Sequence, residues 1–181
     1  MKTKSAATLL FALMIFAATS FAGESKDGKY MPTPPAASAE LEKLKSLAGK
    51  WEGAAKHSNG NEEATVVEYK VTSGGSAVVE TLSPGTSHEM VSVYHDAGRK
   101  LEMTHYCMLG NHPTLFLQGS NEKQFSFKSS LQTKAELIGQ MYMNSLVLEE
   151  PASGELVQTW TAVNPDGKPA DSSVFTFKKK N

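Results

Sequence analysis

Leu44-Lys45-Ser46-Leu47-Ala48-Gly49-Lys50-Trp51-Glu52-Gly53 is where the period of the chain changes. Upstream, Ser38 caps a short helix over Ala39-Glu40-Leu41-Glu42-Lys43-Leu44, with acidic residues in its first turns. Leu41, Leu44 and Leu47 recur at i, i+3 and i+6 and form one apolar face. Downstream the period is two. A helix running through Gly-x-Trp into strands predicts the sealed end of a β-barrel. Trp51 plugs that end, Gly49 turns the backbone tightly into the first strand, and Gly53 belongs to the same closure motif.

The strand pattern continues to the C-terminus. Glu63 to Val71 sets Thr65, Val67, Tyr69 and Val71 against Ala64, Val66, Glu68 and Lys70. Turns at Ser73-Gly74-Gly75-Ser76, Ser83-Pro84-Gly85 and Asp96-Ala97-Gly98 separate strands at Ala77 to Leu82, His88 to His95 and Arg99 to Cys107. Short strands follow at Leu115 to Leu117 and Gln124 to Lys128, then Met141 to Glu149, Leu156 to Val163 and Ser172 to Lys178. Thr133 to Gly139 reads equally as a helical turn or a strand. About ten strands at hairpin spacing predict an all-β, antiparallel up-and-down barrel rather than a parallel α/β sheet. A two-sheet sandwich is the competing architecture.

The first residues carry an address. Met1-Lys2-Thr3-Lys4 is basic, Ala6 to Phe16 is apolar, and Ser20-Phe21-Ala22 places small residues before Gly23. Residues 1–22 therefore read as a secretory signal peptide, too short for a stable membrane span. No Cys follows the apolar run, which excludes lipid attachment there. Residues 23–37, with Pro32, Pro34 and Pro35, read as a flexible tether, and residues 38–181 as the barrel domain. The expected location is periplasmic or extracellular. With 18 basic and 19 acidic residues, nothing in the composition attracts nucleic acid or an anionic membrane. Lys178-Lys179-Lys180 reads as solubility and edge protection. The single cysteine, Cys107, permits no intrachain disulfide, so the core alone must hold the fold.

Arg99 to Cys107 is the most informative strand. Alternation places Leu101, Met103, His105 and Cys107 on one apolar, inward face. A buried imidazole needs a hydrogen-bond partner, and it reads either as a satisfied core residue or as a polar group projecting into a cavity. His105 and Cys107 can reach one ion from the same face, and His88, His95 and His112 sit on neighbouring segments. No pair has the short spacing of a structural zinc site, and no metal or cofactor is assigned. Met141 and Met143 share a face with Ser145 and Val147, opposite Tyr142, Asn144, Leu146 and Leu148, and either face can point inward. Phe125, Phe127, Phe175, Phe177 and Trp160 read as interior.

Leu47-x-Gly49-x-Trp51-x-Gly53 resembles the first-strand motif of the calycin group: lipocalins, fatty-acid-binding proteins and the haem-binding nitrobindin-like domains. Val93-Tyr94-His95, Leu101, Thr104-His105-Tyr106-Cys107 and Gly110-Asn111-x-Pro113, with Gln158-x-Trp160-Thr161 and Asp166-Gly167-Lys168, look like a bacterial family of exported lipocalin-like proteins. The likeness spans Leu41 to Lys179 and implies a calycin-like barrel with no established activity. Two departures stand out. Met141-Tyr142-Met143-Asn144-Ser145 replaces a His-rich stretch, and His112 stands where Gln is usual. No His follows His112, so haem ligation by a late histidine is not supported.

The expected function is binding of a small apolar or amphipathic molecule inside the barrel, by a monomer or weak dimer. The expected ligand-binding residues are Tyr69, Met103, His105, Cys107, Met141, Met143 and Trp160, and no catalytic residue is assigned. One alternative is a hydrolase or isomerase using His105 with Cys107 or His112. Another is a structural or interaction protein with a filled barrel.

Overall fold

The computed structural model describes residues 35–150 and 152–180. The signal peptide expected over 1–22, and the tether as far as residue 34, lie outside the described residues.

Helix α1 (Ala39–Lys45) begins at Ser38, whose Oγ accepts the Leu41 N–H at 3.0 Å. The Ser38 N–H and Oγ–H both donate to the Asp96 carboxylate at 2.7 Å, which fastens the helix start to a hairpin. Leu41, Leu44 and Leu47 are each at most 2% exposed. Burying each contributes roughly 1.5–3 kcal/mol, which holds so short a helix in place. Trp51 follows, 3% exposed, and its indole N–H donates to the Leu47 carbonyl at 2.8 Å. Trp51 is therefore buried at the same end as the three leucines.

Ten strands follow: β1 (Gly49–His57), β2 (Glu62–Thr72), β3 (Ala77–Leu82), β4 (Met90–Ala97), β5 (Lys100–Tyr106), β6 (Thr114–Asn121), β7 (Gln124–Ser129), β8 (Tyr142–Glu149), β9 (Glu155–Val163) and β10 (Pro169–Lys179). Each pairs antiparallel with the next, and β10 pairs with β1 to close the barrel. Closure rules out the two-sheet sandwich and leaves no open sheet edge among the described residues. The C-terminal lysines accordingly do not guard an edge. Lys178 and Lys179 lie in the β1–β10 seam, the Lys179 ammonium sits 5.1 Å from the Trp51 ring centre, and Lys180 pairs with Glu52 at 2.6 Å. At that seam a Cβ on Gly53 would collide with the Thr176 carbonyl oxygen and the Phe177 backbone, so glycine is required for close strand approach. The ambiguous stretch Thr133 to Gly139 is resolved by helix α2 (Leu131–Glu136), which covers its first half and is capped by Ser130.

Across β2 to β5, register sets how far each inward residue lies from the α1 end of its own strand. Tyr69, Glu80, Ser92 and His105 are directly opposed across β2, β3, β4 and β5 and form one inward row. The row nearer α1 contains Val78, Tyr94, Met103 and Leu115. The row farther from α1 begins Val67, Leu82, Met90. Large side chains fill the α1 half, including Phe127, Phe177, Tyr94 and Met103, each at most 1% exposed. The far half is not filled.

A candidate ligand cavity above a buried polar row

A cavity of about 370 Å³ occupies the end of the barrel opposite α1. Its floor is His105 and Trp160. Leu82, Met90, Cys107, Met143, Ala162 and Phe175 form the wall, and Met108, Leu109 and Met141 stand at the rim. The rim residues are 58%, 47% and 38% exposed, so an apolar mouth faces solvent. His57 also lines the cavity, and its Nδ1 is 2.8 Å from the Ser173 hydroxyl.

Beneath the floor, the polar row forms a continuous network. Glu80 is 1% exposed, and no ion pair to it occurs among the described residues. Its Oε2 accepts the Tyr94 hydroxyl at 2.8 Å and the Gln158 amide at 3.2 Å, and its Oε1 accepts Ser92 Oγ–H at 3.5 Å. The Gln158 amide also donates to Tyr69 Oη at 2.6 Å, while Gln158 Oε1 accepts the Trp160 indole N–H at 3.1 Å. Burial raises the Glu80 carboxyl above its ordinary range, against the opposing pull of the Tyr69, Tyr94, Ser92 and Gln158 hydrogen bonds.

His105 is the link between this network and the cavity. Its Nδ1 lies 3.0 Å from Ser92 Oγ, and its ring centre is 4.4 Å from that of Trp160. With Ser92 donating to Glu80, His105 Nδ1–H donates to Ser92, and Nε2 carries the lone pair. Nε2 has no hydrogen-bond partner among the described residues. Burial lowers the His105 pKa to about 4, so the ring is neutral at pH 7. Two residues along β5 toward the mouth, Cys107 is half-buried, with Sγ 4.0 Å from Met90 Sδ. Burial also raises the Cys107 thiol, opposed by backbone hydrogen bonds from Leu109 and Met108.

Five of the seven expected binding residues line the cavity: His105, Cys107, Met141, Met143 and Trp160. The other two face inward but do not line the cavity. Met103 lies one row nearer α1, and Tyr69 belongs to the polar row, where its hydroxyl is engaged by Gln158. Met141 and Met143 reach the cavity because register shifts between Met143 and Ser145 on β8. This bulge reverses the faces, so Leu146 and Leu148 are also buried, and Met143 does not share its face with Ser145 and Val147. His112 is exposed and its ring lies tilted against that of Tyr106, centroids 5.8 Å apart, outside the wall, so it cannot assist His105. His95 faces Glu102 at 3.3 Å, with its side chain 42% exposed, and His88 lies in the β3–β4 loop. His88, His95 and His112 therefore do not converge on His105.

Glu80, Ser92, Tyr94 and Gln158 have no place in the site expected from sequence, although Tyr94 and Gln158 belong to the motifs that carry the resemblance and alternation carries the signal. Glu80 falls between inward Val78 and Leu82, Ser92 between Met90 and Tyr94, and Gln158 between Leu156 and Trp160. Asn111 is a further residue of interest. Its Nδ2 donates to the Met141 carbonyl at 2.9 Å, and Cys107 N–H donates to its carbonyl at 3.0 Å, tying two sides of the mouth together.

No known protein-family model and no curated protein matches this chain. Solved structures do. A protein of unknown function from the DUF3598 family of Nostoc punctiforme aligns with a TM-score of 0.53 and 14% identity, covering 76% of this chain. This chain spans 49% of that protein's length, and the likeness concerns the fold alone. EF1p2_mFAP2b bound to DFHBI aligns at TM-score 0.41 and 5% identity, over 77% of this chain and 98% of the other. A redesigned β-barrel aligns at TM-score 0.36 and 10% identity, over 77% and 96%.

Proposed function

We propose that this protein binds a small apolar or amphipathic molecule in the cavity at the open end of its barrel. The observation that carries the reading is the asymmetry of the interior. One half is filled with large buried side chains, while the other keeps about 370 Å³ open above a neutral histidine. That volume lies within the roughly 300–1,000 Å³ usual for ligand sites. It admits about a dozen water-sized groups at ~30 Å³ each. Thioether, aromatic and aliphatic walls favour an apolar body, and His105 and Cys107 supply polar handles. A filled structural barrel is disfavoured by the same void. A two-histidine hydrolase is disfavoured by the position of His112.

The calycin-like motif around Trp51 fits this reading, as do the expected signal peptide and tether, which would deliver the barrel to the periplasm or beyond. Native mass spectrometry of the protein purified from its own host tests the proposal. A small molecule of fixed mass retained at one per chain, and lost on substitution of Ala162 by Phe, supports it. An unliganded protein that also fails to take up any apolar compound from a lipid extract refutes it.

A further inference from the structure

We infer that the inner face of the barrel mouth holds a single cuprous ion, ligated by Cys107 Sγ, Met90 Sδ and His105 Nε2. This inference shares the cavity with the proposed function but assigns it a different chemistry.

Three observations converge. The first is the sulfur pair. The row Val67, Leu82, Met90 continues by register to Cys107, because Val91 opposes Tyr106 one residue away. The two sulfurs are 4.0 Å apart. Two sulfurs at about 2.3 Å from a shared ion, with trigonal angles between them, stand ~4.0 Å apart. The pair therefore already has the spacing a three-coordinate ion requires.

The second is the imidazole. His105 is 2% exposed, and Nε2 has no partner among the described residues. Its other nitrogen is held by Ser92, which in turn reaches the Glu80 carboxyl. A metal-binding histidine is typically oriented in this way, through a hydrogen bond from its second N–H toward a carboxylate. The arrangement fixes the tautomer with its lone pair on Nε2. His105 and Cys107 are two residues apart on one strand face, and both line the same cavity as Met90.

The third is charge and softness. Thiolate and thioether donors select Cu(I) over harder ions. No group of three or more His, Cys, Asp or Glu suited to a metal exists among the described residues, so a divalent ion lacks the ligands it favours. When the S–Cu bond forms, the Cys107 thiol proton leaves to solvent and copper stays monovalent. The thiolate and the ion cancel, and an apolar cavity takes in no net charge. Met143 places a further thioether in the wall and Met141 another at the rim.

The test is an anaerobic titration of the purified, reduced protein against Cu(I) held by bicinchoninate, with circular dichroism to confirm folding. The expected result is one Cu(I) withdrawn per chain. Cys107→Ser and Met90→Leu should each weaken retention at least about tenfold, since even a residue that only orients a ligand costs that much. X-ray absorption at the copper edge should show sulfur neighbours at about 2.3 Å. Failure to withdraw copper, or equal withdrawal by both folded variants, overturns the inference. A parallel titration of the wild type with N-phenyl-1-naphthylamine separates the two claims. Probe binding without copper retention overturns only the metal site, and failure of both overturns the cavity as a binding site.

Discussion

Replacing His105 by Phe should remove a pH dependence of stability of calculable sign and size. The ring is buried beside Trp160, and burial depresses its pKa from 6.5 to about 4. Above pH 6.5 the ring is neutral in both folded and unfolded chains, so it contributes nothing. Between 6.5 and 4 the unfolded chain binds a proton that the folded chain refuses, and stability falls as pH falls. Below 4 both forms are protonated and the loss is complete. At about 1.4 kcal/mol per pH unit, the full interval comes to about 3 kcal/mol. With a urea slope of about 2 kcal/mol/M, the wild-type midpoint should drop roughly 1.5 M further than that of His105→Phe between pH 7 and pH 4. Glu80 titrates in the opposite sense, with its raised carboxyl losing stability as pH rises, but it is present in both proteins. Urea unfolding followed by far-UV circular dichroism at half-unit pH steps measures the difference. Parallel curves for the two proteins would refute the assignment of a buried, neutral His105.

Glu80→Gln can keep the Tyr94 and Gln158 donors on its amide oxygen while turning an NH₂ toward Ser92. Ser92 must then donate to His105 Nδ1, and long-range ¹H–¹⁵N NMR should find the ring proton moved to Nε2. An unchanged tautomer would contradict the relay. The same variant should lose the wild-type decline in stability as pH rises above the ordinary carboxylate range, because the buried ionisable group is gone. Gly53→Ala forces a methyl against the Thr176 carbonyl in the closing seam and should cost about 1–3 kcal/mol. Thermal denaturation should show this as a fall of about 3–10 °C in Tm, and an unchanged Tm would mean that the seam can spread.

Local features of this fold were legible in its sequence, and those depending on register were not. The helix is written in Ser38 and the three leucines, all within one short segment. The strands are written in alternation and in turn glycines such as Gly98, which has a φ of 68°. Alternation assigns a face but not a depth. It brought Tyr69 and Met103 inward correctly and could not say that both lie at or below the polar row. No residue type announces the bulge in β8, yet that bulge aims Met143 into the cavity alongside inward Leu146. The polar row joins four strands from Tyr69 to His105, and only the pairing of those strands reveals it. The chemistry of the site was partly visible in His105 and Cys107. Their partners Ser92, Glu80 and Met90 come from other strands.

Titration of the protein with N-phenyl-1-naphthylamine, in a Trp51→Phe background so that Trp160 is the only emitting indole, interrogates the cavity floor directly. A hollow, ligand-accepting barrel predicts saturable uptake at one site per chain, with quenching of Trp160, and Ala162→Phe should abolish both. Absence of saturable binding, or binding that leaves Trp160 emission untouched, would contradict it.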